Sequence, residues 1–260
     1  MIPKVIHYCW FGGGEKGKLL QKCIKSWSKI CPQYQIVEWN EDTFDISSAP
    51  EYVRLAYAER KWAYVADYVR LKVVYDHGGI YMDTDVELLK PLDDLLGYSA
   101  YFGFETNETI NTGLGFGATK GLPLLLEMMQ QYEGRSFDYE KGQYLTCPLI
   151  DTAVFVNHGL KKDGTKQLLN GNILVLPTEY LCPKSLLTEW ITKTENTISI
   201  HHFSTSWFSE EQRKNHKKAV RQARWATRSA KFRSFPKRLG RLLLGSKRYE
   251  KLKARIKENR

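Results

Sequence analysis

The sequence predicts an α/β protein, and three observations carry that reading. Lys4–Phe11 (KVIHYCWF) is a β-branched and aromatic run that closes on Gly12-Gly13-Gly14, as a buried strand entering a loop does. Lys16–Ile30 then spaces Leu19, Cys23, Ile24 and Trp27 on one helical face, with Pro32 just beyond its end, and Tyr34–Trp39 is strand-like again. Finally, Tyr52–His77 has the pattern of one or two helices, stopped by Gly78 and followed by a short strand ending in Asp83-Thr84-Asp85. Strand, helix, strand is how an α/β sheet begins.

The remaining elements extend this pattern. A strand-rich stretch from Ala100 to Ala118 leads into a helix over Leu122–Tyr132, and Ile173–Leu176 and Ile198–His201 are short strands. No internal repeat or low-complexity linker interrupts the first 212 residues, so 1–212 is expected to be one domain. Residues 213–260 differ: they hold 19 Lys and Arg against only Glu250 and Glu258. The chain as a whole is +10, so the body is net acidic and the tail strongly basic. The tail is helix-compatible, with breaks expected at Pro236 and near Gly240 and Gly245. From Lys237 onward, Leu239, Leu242, Leu243, Leu244, Tyr249, Leu252 and Ile256 give it an apolar side.

No apolar run approaches the roughly 20 residues that span a bilayer. The start of the chain lacks a signal-peptide pattern. Five cysteines with no Cys-x-x-Cys pair argue against a disulfide framework or a zinc site and favour a reducing cytoplasm.

The chemistry concentrates between residues 67 and 85. Asp67 and Arg70 lie three apart on a helix and share a face. After the Gly78-Gly79 break, Asp83 and Asp85 alternate with Thr84, so on a strand both point the same way and can share one divalent cation. Carboxylate oxygens of this kind suit Mg²⁺ or Mn²⁺, which are commonly completed by substrate phosphates. A metal-bridged diphosphate is therefore the expected ligand. The adjacent His201 and His202 sit on a strand and face opposite ways, so at most one is expected to join the metal.

Ile2-Pro3-Lys4-Val5-Ile6-His7 with Trp10-Phe11-Gly12, followed by the Ala66–Asp85 block, resembles the Asp-x-Asp sugar-binding region of family-32 glycosyltransferases. That group includes bacterial capsule and lipopolysaccharide transferases and yeast mannosyltransferases, and is related to the glucosylating domains of clostridial toxins. The likeness runs from Ile2 to about Trp207 and is densest at residues 62–90. It implies a GT-A-type, Rossmann-like domain with a mixed central sheet, a nucleotide-diphospho-sugar donor, Mn²⁺ or Mg²⁺, and transfer with retention by front-face attack.

The resemblance also implies roles for individual residues. Trp10 would stack on the nucleobase. Asp67 and Arg70 would hold donor-sugar hydroxyls and the ribose or phosphate. Asp83 would contact ribose and metal-bound water, and Asp85 would ligate the metal directly. His202 would be the third metal ligand, at a point where the toxins carry an acidic residue, and Trp207 would donate its indole N–H to the diphosphate. Asn111 and Asp151 fall where acceptor-side and sugar-side residues lie, although Cys147 stands where relatives often carry glycine. Glu105 could also reach the cleft, and His7 reads as structural.

The function expected is hexose transfer, with UDP as the favoured nucleotide, to a glycan or lipid-linked saccharide in cell-surface polysaccharide synthesis. The basic tail would hold the enzyme on the anionic inner face of the plasma membrane. Two alternatives remain at this level: a non-catalytic nucleotide-sugar binder on the same fold, and a nucleic-acid-binding protein acting through the tail. No recognised nucleic-acid module is visible, so no nucleic-acid partner is expected.

Overall fold

The computed structural model describes residues 1–205, 208 and 210–244, with backbone alone for 230–244. Its first elements are β1 (Val5–Cys9), α1 (Lys18–Ile30) and β2 (Gln35–Trp39). β1 and β2 pair in parallel, so α1 is the crossover between them. The apolar face of α1 buries Cys23 and Trp27. The Trp27 indole N–H donates to the Val86 carbonyl at 2.8 Å, which anchors the helix to a strand distant in sequence.

The long helical stretch divides into α2 (Glu51–Ala58) and α3 (Trp62–His77), and the chain turns at Arg60 with φ +57°. α3 ends at Gly78, whose N–H caps the Val74 carbonyl at 2.8 Å and whose φ is +69°. Gly79 follows at φ +109°. A Cβ there would lie 2.8 Å from the Val5 carbonyl oxygen and 2.9 Å from His7 Nε2, so the backbone of β3 (Gly79–Tyr81) closes on β1 only because this residue has no side chain.

The chain continues through β4 (Val86–Leu88), β5 (Ala100–Gly103), β6 (Phe116–Ala118), α4 (Pro123–Gln130) and α5 (Cys147–Asn157). It then forms β7 (Gln167–Leu169), β8 (Ile173–Leu176), α6 (Thr178–Leu181), β9 (Ser199–His201) and α7 (Glu210–Leu244). Seven strands make one mixed sheet in the order β2-β1-β3-β6-β5-β8-β7, while β4 and β9 form a separate antiparallel pair. Strand alternation sends neighbouring residues of β5 into different cores. Phe102 packs with Val65, Val69, Leu125 and Phe155 of the α2–α5 side, whereas Tyr101 packs with Trp27 and Leu181 of the α1 and α6 side.

Two compact units divide the chain: Met1–Ser185 with Trp190–Trp207, and Leu186–Glu189 with Phe208–Arg260. In the second, Arg224 of α7 donates to the Thr188 carbonyl at 2.6 Å and pairs with Glu189 at 2.9 Å. The α7 backbone runs through Pro236, where a break is expected from the missing N–H. The expected apolar face of the tail falls on residues whose side chains, or entire placement, lie outside the described set. Among the described residues no helix is long and apolar enough to cross a membrane. All five cysteines are buried free thiols.

Two local expectations need correction. Asp83-Thr84-Asp85 does not continue β3. It forms a turn closed by the Val86 N–H on the Asp83 carbonyl at 3.0 Å, because the chain leaves the sheet at Tyr81 to enter β4. A helix over Cys147–Asn157 was also absent from the expected elements, though Pro148 in its first turn is a start signal.

His7 is structural, held neutral by its partners. Its Nδ1 accepts the Trp39 indole N–H at 3.1 Å, which leaves Nε2 to donate to the Gly78 carbonyl at 2.9 Å. Burial pushes its pKa down and His77 adds to this, against the pull of the Gly78 bond.

Two outcomes are expected. Gly79→Ala should cost roughly 3 kcal/mol in urea unfolding, since strain and a backbone clash add, whereas Gly13→Ala, with open space around it, should cost about 1 kcal/mol. His7 gains its proton more readily when unfolded, so its contribution is complete above about pH 6.5 and declines as pH falls below that. His7→Gln should flatten this part of the stability–pH profile.

Candidate metal centre and active site

α3 places Asp67 and Arg70 on one face, and Arg70 Nη1 pairs with Asp67 Oδ1 at 2.9 Å. The guanidinium is 4% exposed and reaches in three further directions. Nη2 meets Asp83 Oδ1 at 3.0 Å, and Nη1 donates to Cys147 Sγ at 3.3 Å and Thr112 Oγ1 at 3.5 Å. A planar five-donor fork suits this bridging role in a way a lysine ammonium does not. The Tyr81 hydroxyl also donates to Asp83 Oδ1 at 2.9 Å, so one oxygen of Asp83 is held from both sides.

The β4–β9 ladder supplies the next component. It sets His201 opposite Val86, and His201 Nε2 lies 3.1 Å from Asp85 Oδ1. The Ser204 N–H donates to Asp85 Oδ2 at 2.6 Å, and the His202 N–H to the Asp85 carbonyl at 3.0 Å. Phe203 and Thr205 have φ of +52° and +50°, a strained backbone on either side of the Ser204 donor. One donor atom each from Asp83, Asp85 and His201 lies within 4.8 Å of the others.

Charge in this region is out of balance. Asp67, Asp83, Asp85 and Asp151 gather around Arg70 and His201. Burial pushes Asp67 up to about 7 against the pull of Arg70, with Asp83 and Asp151 adding to the rise. Burial likewise pushes Asp151 up to about 6, although Cys147 and Thr112 hydrogen-bond to it. Burial alone would raise Asp85 as well, but the charge and hydrogen bond of His201, with Ser204, hold it well below the usual carboxylate range. Burial opposes protonation of His201, and Asp85, Asp83 and Glu105 outweigh it, so its pKa rises.

The donor set fits a divalent cation. Two carboxylates and an imidazole suit Mn²⁺, and oxygen-rich completion by phosphate suits Mg²⁺. A cation here would offset the surplus of negative charge. Two buried polar atoms of the cluster, Arg70 Nε and His201 Nδ1, have no hydrogen-bond partner among the described residues, so the cluster is also unsatisfied as a hydrogen-bonding array.

Hydrogen bonds and ion pairs join Asp67, Arg70, Asp83, Asn111 and Asp151 through Arg70 and Cys147, and Asp85 lies within 4.8 Å of Asp83. Asp151 Oδ2 accepts from the Thr112 N–H at 2.9 Å and from Cys147 Sγ at 3.0 Å, and Asn111 Oδ1 accepts from the Gly113 N–H at 2.6 Å. Glu105 is raised by burial, with the charge of His201 and a bond from Asn111 opposing. Trp10 leaves the same end of the sheet as Asp83, since β1 and β3 run parallel. Its indole N–H donates to the Gly14 carbonyl at 2.7 Å, and Lys16 lies 5.0 Å from the ring centre. Trp207 lies outside the described residues.

His202 is placed differently from the expectation. Its Nε2 pairs with Glu87 at 2.8 Å, and the residue that joins Asp83 and Asp85 is His201. Alternation along the strand shows that only one of the two can turn inward; the phase is fixed by the register of β9 on β4, a contact between residues 115 apart that no local pattern encodes. Thr112, Gly113 and Cys147 were not expected as contacts of Arg70 and Asp83. The Cys147–Asp151 spacing of four becomes informative once a helix is assigned there.

His201→Gln should therefore weaken Mn²⁺ binding at least tenfold by titration calorimetry, whereas His202→Gln should change it less than threefold. Equal losses would overturn the assignment.

Residues 17–102 match the family described as "Glycosyltransferase sugar-binding region containing DXD motif". Inositol phosphoceramide mannosyltransferase 3 of Schizosaccharomyces pombe is 30% identical over 159 residues, 57% of this chain and 43% of that protein. An uncharacterised glycosyltransferase of Acanthamoeba polyphaga mimivirus is 33% identical over 107 residues, 39% of this chain and 43% of that protein. The chain thus spans less than half the length of these curated relatives. Among solved structures, PaToxG glycosyltransferase aligns over 60% of this chain and 69% of its own, with a TM-score of 0.47 and 18% identity. Asp67, Arg70, Asp83 and Asp85 all fall inside the segment that matches this DXD-containing sugar-binding region.

Proposed function

We propose that the protein is a metal-dependent, retaining glycosyltransferase of GT-A type that moves a hexose from a nucleotide-diphospho-sugar. The observation that carries this reading is the convergence of Asp83, Asp85 and His201 donor atoms within 4.8 Å, beside Arg70, with Asp83, Asp85 and Arg70 inside a segment matched by a glycosyltransferase sugar-binding region. Asp83, Asp85 and His201 would hold Mn²⁺ or Mg²⁺, which supplies Lewis-acid stabilisation to a departing nucleoside diphosphate. Arg70 is already fixed between Asp67 and Asp83, so it can present charge without reorganising. Asp67, with a pKa near 7, can exchange hydrogen bonds with sugar hydroxyls as donor or acceptor. Trp10, Asn111 and Asp151 are assigned to nucleobase and sugar contacts.

UDP is the favoured nucleotide. GDP-mannose is the second reading, and the mannosyltransferase name of the Schizosaccharomyces pombe relative favours it. The acceptor in this reading is a glycan or lipid-linked saccharide, and the basic tail rests on the anionic cytoplasmic face of a membrane during cell-surface polysaccharide synthesis.

The test is thermal unfolding with UDP, GDP or CMP, each with and without Mn²⁺. A ligand at about 100 times its Kd adds about 2.7 kcal/mol, which for a domain of this size is roughly 5–10 °C in Tm. One nucleotide should give this shift only with Mn²⁺, and Asp85→Asn should abolish both the shift and sugar transfer. Normal turnover by Asp85→Asn would overturn the site.

A further inference from the structure

The exposed face of α1 carries Lys18, Lys22, Lys25 and Lys29. At 3.6 residues per turn these four fall within an arc of about 60°, along some 16 Å of helix. They line a groove of about 610 Å³ whose floor and walls include Ser26, Ile30, Glu87, Leu88 and Leu89. Lys22 is satisfied: it pairs with Glu87 at 2.8 Å. Lys18, Lys25 and Lys29 have no carboxylate partner among the described residues, so three like charges converge on one groove without compensation.

Like charges at this spacing repel by a few tenths of a kcal/mol, and an anion seated among them would relieve that repulsion. The groove has no arginine for bidentate recognition and no aromatic ring on which a nucleobase could stack. Lysines with aliphatic stems beside Ile30, Leu88 and Leu89 match a phosphate above an apolar layer. From charge complementarity and this lining, we infer that the α1 face docks on the phosphate headgroups of an anionic phospholipid surface. Glu87 links the groove to the metal centre, since it also accepts from His202, whose N–H bonds the Asp85 carbonyl. Docking would therefore hold the DXD turn close to the membrane surface through α1, independently of the basic tail.

The experiment measures binding of the full chain to vesicles of phosphatidylcholine with 30% phosphatidylserine. Lys18→Gln/Lys25→Gln/Lys29→Gln should bind about 100-fold more weakly, each lysine near the surface contributing about fivefold. A control that removes the same charge elsewhere, Lys161→Gln/Lys162→Gln/Lys166→Gln, should lose less than about threefold because exposed charges are screened over a Debye length. Unchanged binding by the first variant, or equal loss in both, overturns the proposal. Displacement from vesicles by 10 mM inorganic phosphate, beyond that by chloride of equal ionic strength, would make a free phosphate the occupant and also overturn it. Full Mn²⁺-dependent nucleotide binding by the first variant is expected, so a failed donor site and a failed lipid surface give different results.

Discussion

The buried guanidinium of Arg70 is the interaction on which the site depends. It spans α3, the turn after β3, the Thr112 segment and the start of α5, four pieces of chain that share no continuous element. A buried cation is tolerable only when surrounded by matching partners, and its loss would leave Asp67 and Asp83 facing each other without compensation. That dependence runs both ways: the aspartates are where they are because the arginine holds them, and the arginine stays buried because they do. Gly113 shows how tightly the space is drawn, since a Cβ there would fall 2.4 Å from Asp83 Oδ2.

Backbone geometry delivers these groups to one place. Gly78 ends α3 in a conformation that turns the chain straight into β3, and Gly79 lets β3 lie against β1. Asp67 and Arg70 on the helix, and Asp83 beyond the strand, are thereby brought back to one another within a few turns of chain. Trp27 does comparable work from the other side: its hydrogen bond to the Val86 carbonyl fixes the residue that follows the DXD turn. Both devices cost little in sequence, a glycine pair and one indole, and both act at the points where the chain leaves a regular element.

Much of this was legible in the sequence, and the division follows sequence distance. The strand–helix–strand opening is encoded within its own stretch, Lys4–Trp39, and the Asp67/Arg70 pair, the Gly78 stop and the Asp83 and Asp85 carboxylates lie within 19 residues of one another. Local periodicity and turn chemistry suffice for them. Strand alternation does not extend to the Asp-x-Asp turn, because it holds only where pairing continues, and pairing ends at Tyr81. The choice of His201 over His202, and the entry of Thr112 and Cys147 into the shell of Arg70, are set by strand register and helix packing, which single-residue patterns do not carry.

The two-stranded pairing of β4 with β9 has a thermodynamic corollary. Asp85 and Ser204 are 119 residues apart, and three residue pairs hold their segments together. Closing so long a loop is entropically costly, though the cost grows only slowly with its length. Any ligand that needs both segments must share its binding free energy with that closure. A ligand bound by both segments would therefore stabilise the β4–β9 pairing, and that pairing would in turn tighten the ligand's binding.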